Sequence, residues 1–373
     1  MAVLRDILSA FDPALPLERA RTIPSRWFHD ADLYGLECRA VFGDTWQAAG
    51  RAALVAEPGS FLTTEIAGEP ILVVRDAEGS LRAFFNVCRH RASPVMTEPS
   101  GKASRLRCRY HGWTYDLAGR LRGAPEFDGV ADFCRDDHGL VPVTVAEWGP
   151  FVWVHTSGRT PPLAEYLAPL PERVSAQLAS LRFVARREYD IACNWKVFVD
   201  NYLDGGYHVK TVHPGLAGVL DYTHYRTEIY THTSVQLSPL KSSDGSAVAG
   251  VRTGGLAQYW WLFPNLMLNL YEGVMDTNLV LPLGPARCRV VFDFWFADTE
   301  GPAAEKFMHE SMAVAHQVQL EDIGICEQVQ CGLASRSFDT GRFSVRREKS
   351  GYHFHQLLAR RLRAGLDKGN ADR

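Results

Sequence analysis

At 373 residues the chain has room for two domains, and 46% hydrophobic with 11% aromatic residues supply a sizeable core. The formal net charge of −3 arises from acidic and basic residues mixed along the chain, without a polybasic run, which argues against a nucleic-acid or membrane surface. No apolar run approaches the length of a spanning helix. The eight cysteines (Cys38, Cys88, Cys108, Cys134, Cys193, Cys288, Cys326 and Cys331) show no framework spacing, so reduced thiols in a cytoplasmic protein are expected.

The N-terminal stretch MAVLRDILSAFDPALP meets Asp and Pro too early for a secretory leader and reads as a short amphipathic helix. Helical texture continues through residues 1–45, with Pro24 opening a turn before RWFHDADLYGLECRAVF. Between Trp46 and about Trp153 the texture changes. ILVV, the turn D-A-E-G and LRAFFNV make a hairpin signal, TYDLAGRLRG repeats it, and FVWVHTS reads as a further strand. A Pro-rich stretch, GRTPPLAEYLAPLPERV, marks a boundary near 158–172. Beyond it, strands (RREYDIAC, HYRTEIYTHTSVQLSPL, RCRVVFDFWFAD) mix with helices (NWKVFVDNYLDGGYHVKTV, AAEKFMHESMAVAHQVQLEDIGICEQVQCGL), and the tail LARRLRAGLDKGNADR frays into polar residues. The pattern is α+β: a helical segment over 1–45, a small β domain over 46–157 and a larger domain over 158–373.

The β domain carries the first cluster of chemistry. CRHRASPVMTEPSGKASRLRCRYH holds Cys88 and His90, seventeen intervening residues, then Cys108 and His111. A zinc finger groups its cysteines before its histidines. Here each pair carries one of each, so two loops can give one iron of a [2Fe–2S] cluster two thiolates and the other two neutral imidazoles. A structural zinc site is the alternative. Tyr110, Gly112 and Trp113 in RYHGWTYD complete a stretch that resembles the Rieske domain signature.

The larger domain holds His208 and His213, with VKTV between them. Two histidines and a carboxylate are the donor set of non-haem Fe(II) oxygenases. Spacing of i to i+5 does not align on a regular helix, so one imidazole must lie past a helix end, and Pro214 agrees with a break. QLEDIGICEQVQCGLAS offers Glu321 and Asp322 as the third ligand.

With both clusters present, residues 17–358 resemble the catalytic α subunit of the Rieske non-haem iron oxygenases. The resemblance implies an antiparallel β Rieske domain and a catalytic domain with a central antiparallel sheet flanked by helices, on which the N-terminal segment packs. It implies that Cys88, His90, Cys108 and His111 hold the cluster and that His208, His213 and Asp322 hold Fe(II), with O2 as co-substrate. Asp322 matches the Asp of the family's E-D-[IV] run, and Glu321 lies about 100° around the same helix. The family commonly has an acidic residue three before the first iron histidine, bridging to a cluster histidine of a neighbouring subunit. Here that position is Gly205. A π-type bulge at the double Gly would bring Asp204 to the bridging place, with Asp200 as the spare candidate.

DNYLDGGYHV, MDTNLVLPLGP and QLEDIGICEQVQCGLAS are similar to the choline-oxidising branch of that family. The resemblance implies a homotrimer supplied by a ferredoxin or reductase and hydroxylation of choline to betaine aldehyde. N- or O-demethylation, ring hydroxylation and plain electron transfer are the competing activities. A quaternary ammonium ligand is best held by aromatic faces. Strand alternation puts Tyr259, Trp261 and Phe263 on one side, with Trp260 pointing away and Tyr271 nearby as a further candidate.

Overall fold

The computed structural model describes residues 2–158, 160–241 and 245–371. Arg159 in the Pro-rich stretch, Met1 and the last two residues of the tail lie outside the described residues. The chain divides into two compact units, Phe42–Tyr166 and a second made of the residues up to Val41 together with those from Leu167.

The strands of Phe42–Tyr166 are Gln47–Arg51 (β1), Ser60–Ile66 (β2), Glu69–Arg75 (β3), Leu81–Phe85 (β4), Ser100–Lys102 (β5), Leu106–Arg107 (β6), Thr114–Tyr115 (β7), Leu121–Gly123 (β8), Pro142–Trp148 (β9) and Phe151–His155 (β10). Seven of them form an antiparallel sheet in the order β1-β10-β9-β4-β3-β2-β5, and β6-β7-β8 form a separate three-stranded sheet. The turn after β3 is tied by Asp76, whose Oδ1 accepts from the backbone N–H of Glu78 and Ser80 at 3.1 and 2.7 Å. One apolar cluster joins the large sheet (Leu72, Val74, Phe84) to the small one (Leu106, Trp113, Tyr115, Leu121), and Cys88 and Cys108 lie inside it. The loops that carry these cysteines therefore sit on a packed base rather than on mobile chain.

The second unit contains Arg182–Ile191 (β11), Arg226–Ile229 (β12), Thr233–Pro239 (β13), Leu256–Leu262 (β14), Leu266–Tyr271 (β15), Val274–Gly284 (β16) and Arg287–Phe296 (β17). They make one antiparallel sheet in the order β11-β17-β16-β15-β14-β13-β12. HYRTEIYTHTSVQLSPL is thus not one strand but a hairpin turning at 230–232. Helices Trp195–Tyr202 and Gly301–Leu333 pack together beside this sheet, and helix Lys349–Ala371 closes the same unit. That last helix runs to Ala371, so the tail continues as helix where polar composition predicts fraying.

The N-terminal segment is bound into this unit by buried polar contacts. Lys196 Nζ donates to Glu37 Oε1 at 2.6 Å, and Trp195 Nε1 donates to Glu37 Oε2 at 2.8 Å. Both charged side chains have no solvent exposure. The pair anchors the first turn of helix Trp195–Tyr202, whose far end leads into the His208 loop.

Candidate metal centres

Cys88 follows β4, and Cys108 and His111 lie in the tight loop between β6 and β7. Gly112, in the left-handed region at φ +73°, lets this loop turn back so that Cys108 N–H donates to Trp113 O at 2.9 Å. His90 and His111 come together with ring centroids 4.6 Å apart, and His90 stacks on Trp113 at 5.0 Å with 6° between planes. Both cysteines are buried. Burial pushes the Cys88 thiol up, although the Tyr115 hydroxyl beside it pulls the other way. Burial, with the nearby charges of His111 and Arg91, lowers His90, which favours the neutral imidazole. Tyr115 Oη lies 3.4 Å from Cys88 Sγ and accepts from Arg89 N–H at 3.0 Å. Tyr115 was not anticipated from the sequence; its signal was alternation, two residues beyond Trp113.

In the second unit, helix Trp195–Tyr202 starts at Asn194, whose side chain accepts from Lys196 N–H at 3.0 Å. It ends at Leu203, and Gly205 and Gly206 follow at φ +71° and +70°. Two successive left-handed residues end a helix, so the expected π-type bulge is replaced by a glycine turn. The turn is packed tightly: a Cβ on Gly205 would lie 2.1 Å from Arg347 O. It also places Asp204 Oδ2 2.5 Å from His208 Nδ1 and 2.9 Å from the His208 backbone N, while Oδ1 accepts from Tyr207 N–H at 3.0 Å. Asp200, the spare candidate, is engaged elsewhere. His355 Nδ1 accepts from Ile23 N–H, so its Nε2–H donates to Asp200 at 2.8 and 3.0 Å.

His208 caps the short helix Val209–Val212 and His213 lies just beyond its end. His208 Nε2 is 3.0 Å from His213 Nε2, and Asp322 Oδ1 lies 3.1 Å from the latter and 3.7 Å from the former. Asn201 Nδ2 donates to the same Asp322 oxygen at 2.7 Å. Glu321 Oε2 faces His213 Nδ1 at 2.7 Å. Helical phase thus gives the two neighbouring carboxylates different places: Asp322 joins the inner atoms and Glu321 orients an imidazole from behind. With Nδ1–H of each imidazole held by a carboxylate, both Nε2 lone pairs and a carboxylate oxygen point at one spot. Such a convergence of donors suits a cation. Burial disfavours His213 in its charged form, but Asp322 and Glu321 outweigh that and raise it.

These atoms open on a cavity of about 100 Å³ between the helices and the sheet. Tyr259 and Tyr271 line it, whereas Trp261 and Phe263 do not. Those two pack on Phe354 of the C-terminal helix, farther along the same strand, at 5.6 and 6.5 Å between centroids. Trp260 points away, stacked on Tyr230. Tyr271 has its face covered by the Arg252 guanidinium, 4.6 Å from the ring centroid, which leaves that face closed to a ligand cation.

The Rieske [2Fe-2S] domain family matches residues 45–134, and the ring hydroxylating alpha subunit (catalytic domain) family matches 178–364. Choline monooxygenase of Arabidopsis thaliana chloroplasts is 41% identical over 96% of this chain and 86% of its own length. The carnitine monooxygenase oxygenase subunit of Escherichia coli K12 is 30% identical over 92% of this chain and 94% of its own. The chain belongs to the Rieske non-haem iron oxygenase family. A solved quaternary ammonium Rieske monooxygenase superposes with a TM-score of 0.82 at 26% identity, covering 93% of this chain and 98% of that one.

Rieske oxygenases of this kind carry a [2Fe–2S] cluster and a mononuclear iron, with O2 as the typical oxidant and an electron donor and small molecule as partners. The donor chemistry fits both groups. His90 Nδ1 is buried without a hydrogen-bond partner among the described residues, beside two buried thiols and a second imidazole. His208, His213 and Asp322 each offer one atom, all within 4.8 Å of one another. No helix among the described residues is long and apolar enough to cross a membrane.

Proposed function

We propose that this chain is the oxygenase subunit of a monooxygenase that hydroxylates a small quaternary ammonium compound, choline to betaine aldehyde being the first reaction to test. The observation that carries this reading is the set of three converging donor atoms, His208 Nε2, His213 Nε2 and Asp322 Oδ1, opening on a small cavity. The 41% identity to a choline monooxygenase supports the substrate class.

In this reading His208, His213 and Asp322 hold iron, and Cys88, His90, Cys108 and His111 hold the cluster. When bound, the iron supplies O2 activation with two electrons that reach it through the cluster. Glu321 and Asp204 keep protons on the outer ring nitrogens, so that the inner ones stay free as ligands. Asn201 holds Asp322 by one oxygen. Choline, O2, two electrons and two protons balance as the aldehyde hydrate and water.

In this reading Asp204 bridges toward a neighbouring subunit's cluster, and head-to-tail contacts of that kind close into a ring, which we propose is a homotrimer. A ferredoxin or reductase supplies electrons. The free cysteines support a reducing, cytoplasmic compartment.

The test is single turnover. Anaerobically purified, iron-loaded and pre-reduced protein is mixed with choline and O2, and betaine aldehyde and formaldehyde are assayed. Betaine aldehyde in proportion to reduced cluster is expected. Formaldehyde would reassign the reaction to demethylation, and neither product would exclude choline as substrate.

A further inference from the structure

The iron cavity contains two ionisable side chains that none of the proposed steps uses. Arg252, just past the short helix Ala247–Val251, is 7% exposed, and its Nε and Nη1 have no hydrogen-bond partner among the described residues. Among the described residues the other arginine buried to this degree, Arg347, donates to Tyr222 O at 3.1 Å. Asp276, on β16, is 3% exposed. Its Oδ2 accepts from Asn269 Nδ2 at 2.6 Å, while its Oδ1 has no partner among the described residues. Both line the cavity that holds His208, His213 and Asp322.

The groups around them are already committed. Tyr202 Oη donates to Asn269 Oδ1 at 2.9 Å, and Asn269 Nδ2 also donates to Asn278 Oδ1 at 2.8 Å. Tyr225 Oη donates to Gln236 Oε1 at 2.9 Å, and Gln236 Nε2 donates to Tyr202 O at 2.7 Å. Tyr259 and Tyr271 pair through their hydroxyls at 2.8 Å, so the amides and phenols of this wall are engaged with one another, and the free oxygen of Asp276 attracts Arg252 through space without a hydrogen bond to it. Stacking on Tyr271 compensates part of the guanidinium's desolvation, but leaves its N–H fork unsatisfied.

We infer that Arg252 receives an anionic group of the substrate, so that the ligand is a zwitterion carrying a carboxylate as well as a quaternary ammonium group. This rests on the quaternary ammonium reading above and narrows it. A guanidinium fork matches a carboxylate bidentately, and inside a cavity such a charge-assisted pair is strong. The ammonium group, which cannot donate an N–H, is attracted by the free oxygen of Asp276. A zwitterion satisfies both walls. Choline satisfies only the Asp276 side and places a second cation in the cavity with Arg252.

The experiment is calorimetric titration of the anaerobic, iron-loaded protein with glycine betaine, γ-butyrobetaine, choline and butyrate, repeated for Arg252→Met and Arg252→Lys. One of the betaines is expected to bind more tightly than choline. Arg252→Met should weaken it at least tenfold without weakening choline, and Arg252→Lys, which keeps the charge but loses the fork, should weaken it less. If Arg252→Met fails to give folded holoprotein, a several-fold loss confined to the betaine in Arg252→Lys carries the test. Betaine affinity unchanged in both variants, or a wild-type preference for choline, overturns the inference and leaves the quaternary ammonium reading standing. Binding of butyrate alone keeps the anion site and removes the quaternary ammonium reading. Binding of none of the four removes both.

Discussion

Replacing Glu37 by Ala tests how the N-terminal segment supports the iron site. The substitution strands the Lys196 ammonium, which is fully buried with rings of Trp195 and Phe28 at 5.4 and 5.5 Å. Removing one partner of a buried ion pair costs about 3–5 kcal/mol. Trp195 Nε1 loses its acceptor as well, and a buried orphaned donor costs roughly 1–3 kcal/mol. Since the two share one carboxylate, a loss of about 4 kcal/mol is expected at neutral pH. The pH dependence has a definite sign. Burial lowers Lys196 below its ordinary 10.5, and attraction to Glu37 partly restores it. Without Glu37 the folded-state value falls further, so between it and the unfolded value the unfolded chain binds more protons. Stability of the variant therefore rises with pH across that window, and the deficit narrows toward alkaline pH. Urea unfolding followed by circular dichroism at several pH values measures both effects. Glu37→Ala with Lys196→Met should recover most of the loss, because it removes the orphaned charge. A deficit below about 1 kcal/mol that does not change with pH would refute the reasoning.

Two further outcomes follow from the site. Glu321→Ala should weaken iron binding by about 10–100-fold in chelator competition, because His213 loses the carboxylate that orients it, while Glu321→Gln, which keeps an acceptor, should lose less. Gly205→Ala forces a Cβ onto Arg347 O and a non-glycine residue into the left-handed region, a conformational strain of order 1–3 kcal/mol before the clash is added. Lower iron occupancy together with a lower Tm is expected. Wild-type occupancy and Tm would mean that the turn is not required to present Asp204 and His208.

What was legible in the sequence was what local spacing dictates. Cys88-x-His90 and Cys108-x-x-His111 are single loops, and each needs only a strand on either side to hold its pair in register. The break between His208 and His213 was legible for the same reason, since i to i+5 is incompatible with one helical face. The bulge at Gly205 was misread because a double glycine is consistent both with an insertion in a helix and with a left-handed turn that ends one. The contact that decides between them, Gly205 against Arg347 O, joins positions far apart in the chain.

The aromatic stretch shows the limit of periodicity from another side. Alternation separated Trp260 from Tyr259 and Trp261 correctly, since it reports which side of a strand a residue takes. It carries no information about what covers that side at each point along the strand. Tyr259 meets the cavity, and two residues later Trp261 meets the helix Lys349–Ala371, an element nearly a hundred residues downstream. The charges of the cavity had a readable signal that periodicity did not use. Asp276 stands in a strand buried almost throughout, where a carboxylate is costly unless something needs it. A carboxylate in an almost wholly buried strand therefore points to a ligand site more directly than neighbouring aromatics, because packing alone explains the aromatics and does not explain the carboxylate.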